Sequence, residues 1–151
     1  MDQIRQGDVY LIPVVAIPAT ATPVAREAGR LILAHGEVTG HAHAILAPDA
    51  ELLTTPGATA ELVDRYLRVR SSAPQIDAWR VRSRNGIGWM PAYQPREIIE
   101  AAGFVVEARE SVQGVVEVHE EHLHHVIRPG VMRVVIHEEW TDQDESRAVL
   151  D

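Results

Sequence analysis

Cysteine is absent from the 151 residues of this chain. A chain without thiols has no disulfide, no thiolate metal ligand and no thiol nucleophile. Any metal ion that this protein binds must therefore be held by nitrogen and oxygen atoms.

Long apolar stretches are also missing. No run of about 18 apolar residues occurs, which predicts that no helix spans a membrane. The N-terminus reads Met-Asp-Gln-Ile-Arg-Gln-Gly-Asp and lacks the apolar core of a secretory signal peptide. We therefore expect a cytoplasmic protein with no membrane partner. The length and the 46% share of hydrophobic residues predict one globular domain over residues 1–151.

Basic residues are scarce relative to acidic ones, 14 against 22, and the formal net charge is −8. Nucleic-acid binding draws most of its affinity from basic side chains on phosphates, so the charge argues against a nucleic-acid partner. Arg80, Arg82 and Arg84 do cluster. Their spacing of two is typical of the solvated face of a strand.

Short apolar runs rich in β-branched residues predict a mainly β protein. We predict strands at residues 9–15, 30–34, 42–46, 66–70, 79–82, 87–90, 104–108, 115–118 and 131–136, with the last two paired as a hairpin. Residues 47–59 are turn-like, and Asn85-Gly86 is a hairpin signal. One helix is predicted at Pro95–Ala102, because proline and glutamate open it and glycine follows it. The predicted fold is a small antiparallel β-barrel or sandwich with one short helix.

The eight histidines fall in or beside two segments, with none between Ala44 and Val118. The first group contains three of them and the second contains five, namely His35, His41 and His43, then His119, His122, His124, His125 and His137. Imidazole is the commonest protein ligand for transition metals such as zinc. We therefore predict that the two groups are halves of one metal site.

The first group lies in a segment where Gly36 and Gly40 bracket a tight connection between two strands. His41 and His43 are two residues apart on the second strand. Residues i and i+2 of a strand project from one face, so both imidazoles would point the same way. The alternative interpretation is that these histidines cap a turn or line a polar surface.

The second group is compatible with two local structures. On a helix His119 and His122 would share a face, whereas on a strand His122 and His124 would do so. The pattern does not choose between them. It departs from the His-Glu-x-x-His motif of zinc proteases, whose ligands are four residues apart. The alternative is a polar or pH-sensitive surface loop.

The predicted ligands of a divalent metal ion, with zinc favoured, are His41, His43, His119 and His122. Four imidazoles would close a tetrahedral shell, whereas three with a carboxylate leave room for water or substrate. Metal-bound water would have a pKa near 7, and Glu121 or Glu37 is the candidate catalytic base.

The order of these motifs resembles the cupin superfamily, in which a small β-barrel holds a metal ion with two or three histidines and a glutamate. The resemblance rests on Gly36–His43 and, in part, on His122–His137. No glutamate follows His43 closely, and the second motif lacks the Gly-Pro-Gly-His spacing. The Gly-Glu-x-Thr-Gly-His-x-His and His-Glu-Glu-His elements are also similar to those of small uncharacterised bacterial or phage-associated proteins. The cupin resemblance implies a β-rich metal-binding fold and no particular substrate.

Three hypotheses of function follow. The first is a metal-binding β domain which, if it is an enzyme, hydrolyses or isomerises a small polar substrate. The second is a non-catalytic assembly or regulatory module with a structural metal ion or none. The third is a homo-oligomeric scaffold joined through exposed strand edges, with no metal.

Overall fold

The computed structural model describes residues 3–35, 41–56, 64–136, 138–140 and 146–148. It confirms a mainly β fold with antiparallel sheets and one short helix in a sandwich-like arrangement; the described strands do not close into a barrel. The first strands in chain order are β1 Ile4–Gln6, β2 Val9–Pro13, β3 Thr22–Pro23, β4 Leu31–His35, β5 Ala42–Ile45, β6 Ala50–Thr54 and β7 Arg65–Val69. The remaining elements are β8 Gln75–Ser83, β9 Gly86–Pro91, α1 Arg96–Ala101, β10 Val105–Gln113, β11 Val115–Val118, β12 His125–Ile127, β13 Gly130–Ile136, β14 Glu138–Trp140 and β15 Ser146–Ala148.

The strands form two large sheets and one small one. The first sheet has the order β1-β2-β13-β7-β6-β3, and the second has the order β10-β8-β9-β12-β11-β5-β4. β14 pairs only with β15 in a separate two-stranded sheet among the described residues. In the second sheet β5 lies directly beside β11, which places the first histidine segment next to the strand that leads into the second.

The main core lies between the two large sheets. Side chains from strands of both sheets point inward and form one apolar cluster. Its largest fully buried members are Leu11, Leu52, Leu67 and Met132 from the first sheet, and Leu31, Leu33, Ile45 and Ile127 from the second. Burial of this apolar surface is the main driving force that holds the sheets face to face.

The predicted helix is confirmed as α1. It buries Ile99, which packs with Val81, Met90 and Val106 in a second, smaller cluster. Gly103 follows the helix with a φ of 97°, the left-handed conformation in which helices commonly end. No helix among the described residues is long and apolar enough to cross a membrane.

Two local predictions were wrong. The stretch 47–59, predicted to be turn-like, contains the strand β6. It forms because its backbone pairs with β7 and its apolar side chains are buried. β11 and β13 are not a hairpin, because β12 pairs with β11 and β13 crosses to the first sheet between β2 and β7. The turn before β13 therefore carries the chain from one sheet to the other.

Candidate functional site

Neighbouring strands bring the two histidine segments together. In the pairing of β5 with β11, Ala44 lies opposite Val118 and Ile45 lies opposite Glu117. His43 precedes Ala44 on β5, and His119 follows Val118 at the end of β11. Continuing this register places His43 and His119 side by side, so an ordinary antiparallel ladder joins segments that are far apart in the chain.

The imidazole rings of the four predicted ligands form one cluster. The ring centroids of His43 and His119 are 4.5 Å apart, and those of His119 and His122 are 4.7 Å apart. His43 and His122 stack at 6.1 Å, and His41 meets His119 edge-on at 5.9 Å. His119 is the centre of this imidazole cluster. His41 is its most peripheral member, because its ring contacts only that of His119 among the three.

Residues 119–124 form a bent connection between β11 and β12, neither the helix nor the strand that spacing could suggest. Two carboxylates tie this bend to the first histidine segment. Glu120 Oε2 accepts a hydrogen bond from the Ala42 backbone N–H at 3.1 Å, and Glu121 Oε1 lies 3.3 Å from His41 Nδ1. The bend also lets the Glu121 N–H donate to His119 Nδ1 at 2.9 Å.

His43 is fully buried and lies between two oxygen acceptors from the first sheet. Gln6 Nε2 donates to the backbone carbonyls of Glu117 and Leu123, at 3.1 and 3.0 Å. These bonds fix the orientation of the Gln6 amide, so its Oε1 accepts from His43 Nδ1 at 2.8 Å. The other ring nitrogen, His43 Nε2, faces Asp8 Oδ1 at 3.2 Å.

Gln6 and Asp8 were missed by reasoning from the sequence. Both are buried, and they flank the turn between β1 and β2, more than 30 residues before His43. A polar pair before an apolar strand is ordinary at a turn, and nothing local in the sequence distinguishes these two residues from a solvated pair. Only the packing of one sheet on the other brings them to the imidazole cluster.

Glu117 is a second acidic residue that sequence reasoning missed. It occupies an inward position of β11 and has no exposed surface. Among the described residues, neither of its carboxylate oxygens has a hydrogen-bond partner. Burial raises the pKa of Glu117 to about 8. The strand pattern carried a signal, because residues 117 and 119 of a strand share a face.

His125 and His124 continue the second group beside the cluster of four rings. His125 opens β12 and is buried opposite Glu117; burial, with smaller contributions from the charges of His124 and His122, lowers the pKa of His125 to about 4. The His124 ring forms a hydrogen bond with the Tyr93 hydroxyl through Nδ1, and its Nε2 lies 3.2 Å from the backbone carbonyl oxygen of His119. Gln94 fixes the backbone there, since it accepts from the His124 N–H at 2.7 Å and donates to the His124 carbonyl at 3.0 Å.

An open cavity of about 420 Å³ adjoins the imidazole cluster. Its lining includes Gln6, Glu121, His122 and His125, with Phe104 on its apolar side. His122 therefore belongs both to the ring cluster and to the cavity wall. A small molecule in this cavity would lie next to the buried histidines.

The structure locates the two candidate bases differently. Glu121 lies at the rim, half-exposed beside His41, whereas Glu37 lies outside the described residues. His137, the last histidine of the chain, also lies outside them. Within the ranges that the structure describes, no group of three or more His, Asp or Glu side chains is placed so that it could hold a metal ion.

Comparisons with known proteins add one match. Residues 5–77 match the model of a family described as a domain of unknown function, DUF8820. That range includes Gln6, Asp8, His41 and His43 but not the second histidine group. No curated protein and no solved structure matches the chain.

Proposed function

We propose that this protein binds one divalent metal ion, zinc in the first place, at the imidazole cluster. The candidate ligands are His43, His119 and His122 with the carboxylate of Asp8. His41, the fourth histidine predicted from the sequence, lies at the edge of the imidazole cluster beside Glu121. Its contact with Glu121 would stabilise the connection 119–124, which contains His119 and His122.

The spacing of the three inner rings carries the proposal. A tetrahedral zinc ion binds imidazole nitrogen at roughly 2.1 Å, which sets the ring centroids of two such ligands roughly 5 Å apart. The rings of His43, His119 and His122 are separated by 4.5, 4.7 and 6.1 Å. Three imidazoles at these distances need only local adjustment to share one ion.

The hydrogen bonds of His43 fit the same interpretation. A histidine that binds metal through one nitrogen usually donates the other N–H to a fixed acceptor, which sets its tautomer. The oriented Oε1 of Gln6 supplies that acceptor, so His43 Nε2 is the coordinating nitrogen. Its distance of 3.2 Å from Asp8 Oδ1 is close to the roughly 3.3 Å that separates two ligand atoms on one tetrahedral zinc ion. A metal-free imidazolium–carboxylate pair would show the same contact, and metal analysis distinguishes the two.

Metal binding would require a change at His119. Its Nδ1 accepts the Glu121 N–H, so a neutral His119 carries its proton on Nε2. Ligation through Nε2 requires that proton to move to Nδ1, which breaks the hydrogen bond from the Glu121 N–H, or requires the ring to turn. Protons compete with the metal ion for the imidazole nitrogens, so affinity should fall at low pH.

Two uses of such a site are supported by different observations. The cavity at His122 favours a catalytic site for a small polar substrate, where a bound ion would acidify water and Glu121 at the rim would act as base. The complete burial of His43 favours a closed structural site in a non-catalytic module. An exchangeable water on the bound ion would select the catalytic use.

Elemental analysis of the purified, untagged protein tests the proposal. We expect about one metal ion per chain, lost in both His43→Ala and His122→Ala. His35→Ala is the matched control, because His35 is exposed and pairs with Glu27 outside the cluster. A wild type that stays metal-free after zinc is added, or loss in only one of the two variants, would refute a shared site.

Four further predictions stay proposals. These are a cytoplasmic location, homo-oligomerisation through strand edges, the absence of a nucleic-acid partner, and the likeness to cupins and to small bacterial or phage-associated proteins. Cell fractionation, sedimentation and nucleic-acid binding assays test the first three directly. The arginines at residues 80 and 82 both lie 3.6 Å from Glu107, so that basic strip is partly neutralised.

A further inference from the structure

Glu117 is a fully buried acidic side chain whose carboxylate has no hydrogen-bond partner among the described residues. It lies on β11, an inner strand flanked by β5 and β12, and faces the core with no exposed surface. A buried carboxylate normally has a cation or several hydrogen-bond donors beside it. Neither carboxylate oxygen of Glu117 has a hydrogen-bond partner among the described residues, although His125 lies directly opposite on β12. Protonation does not remove the problem, because a carboxylic acid O–H also needs an acceptor.

The position of Glu117 relates it to the imidazole cluster. It is two residues before His119 on one face of β11, and it lies opposite Ile45, which is two residues after His43 on β5. Glu117, His119 and His43 therefore occupy adjoining inward positions on two paired strands. Diagonal neighbours in an antiparallel pair are about 7–8 Å apart at Cα, within the reach of a long side chain.

Charge balance supplies a second argument. A divalent ion held only by neutral imidazoles and Asp8 would leave one positive charge in a buried site, and an uncompensated buried charge is strongly unfavourable. A second carboxylate makes the site neutral. Among the glutamates that the structure describes, Glu117 is the fully buried one, and the strand register places it next to the positions of His43 and His119.

We propose that Glu117 is a ligand of the metal ion bound at the imidazole cluster, so that two carboxylates, Asp8 and Glu117, balance its charge. This inference rests on the proposed function and adds a ligand that is not a histidine. With Glu117 the ion would have five protein ligands, one more than a tetrahedral shell holds. A set of imidazoles with two carboxylates also suits manganese or ferrous iron, which accept more oxygen ligands than the all-histidine set predicted from the sequence would offer.

Zinc affinity of Glu117→Gln, measured by competition with a chromophoric chelator, tests this assignment. We expect a loss of more than about 100-fold, beyond the 10–100-fold typical of groups that only orient a ligand. Glu110→Gln is the control, since Glu110 accepts a hydrogen bond from Trp89 far from the cluster along β10. Circular dichroism of the metal-free variants checks that each is folded.

Spectroscopy of the cobalt-substituted protein provides a second measurement. Loss of a carboxylate ligand changes the coordination of Co²⁺, so we expect altered visible absorption in Glu117→Gln and in Glu117→Asp, whose shorter side chain keeps the charge. Unchanged affinity and spectra in folded Glu117 variants, with metal still lost in His43→Ala, would refute this inference alone. A wild type without metal would refute it together with the proposed function.

Discussion

The buried carboxyl of Glu117 should make stability depend on pH in the absence of metal. Its pKa is about 8 in the folded protein and 4.5 in an ordinary environment. Below pH 4.5 both states are protonated and the group has no effect. As pH rises from 4.5 to 8 the unfolded chain loses the proton while the folded protein keeps it, so stability falls.

The size of the effect follows from the shift. Each pH unit in this window lowers the free energy of unfolding by 1.36 kcal/mol. At pH 7 the ionisation of Glu117 in the unfolded chain has therefore reduced the free energy of unfolding by about 3 kcal/mol. Glu117→Gln cannot ionise and should lack this slope. Comparing slopes also removes the pH-independent cost of burying an amide.

Urea denaturation of the chelator-treated proteins at pH 5, 6 and 7 measures the difference. We expect the wild type to lose about 2–3 kcal/mol more than Glu117→Gln across this range. Glu110→Gln, which changes a partly exposed residue, should follow the wild type. Parallel slopes for wild type and Glu117→Gln would show that Glu117 is solvated or paired, and would refute its description as an isolated buried acid.

Three other predictions rest on different contacts. Gln6→Ala should weaken zinc binding about 10–100-fold, because it removes the acceptor that orients a ligating imidazole; an unchanged dissociation constant would contradict that orientation. His125 has a pKa of about 4 in the folded protein, so the free energy of unfolding of the wild type should fall by about 3 kcal/mol as pH falls from 6.5 to 4. His125→Asn should lack this part of the pH dependence. Equal dependence of the two proteins on pH in urea denaturation would contradict the burial of a neutral imidazole. Gly114→Ala should destabilise the protein by about 1–3 kcal/mol, because the added Cβ would lie 2.5 Å from a backbone carbonyl oxygen. The added Cβ of the control Gly88→Ala meets no atom within 4 Å, so that variant should be destabilised less. Equal midpoints of the two variants in thermal denaturation would contradict the close approach at Gly114.

The strands and the helix were predictable because their signals are local. Period-two alternation located β7 and β8, and Asn85-Gly86 marked the turn before β9. β6 was missed because its five residues lie between prolines and become a strand only by pairing with β7. Local pattern also could not assign β13 to the first sheet, since pairing between distant strands is decided by packing.

The candidate site was predictable only in part, for a similar reason. The histidine segments stand out by residue type, and the structure brings their rings together. Gln6 and Asp8 come from the opposite sheet, which no spacing rule connects to His43. Glu117 looked like an ordinary charged residue in a strand, because a sequence shows which residues share a face but not which face is buried.

Anomalous X-ray diffraction at the zinc edge, on crystals grown with zinc, tests the central claim most directly. The proposal predicts one strong peak per chain, within bonding distance of His43 Nε2 and Asp8 and flanked by the rings of His119 and His122. A crystal that shows no peak there, or shows one only at exposed histidines such as His35, would contradict a metal site at the imidazole cluster.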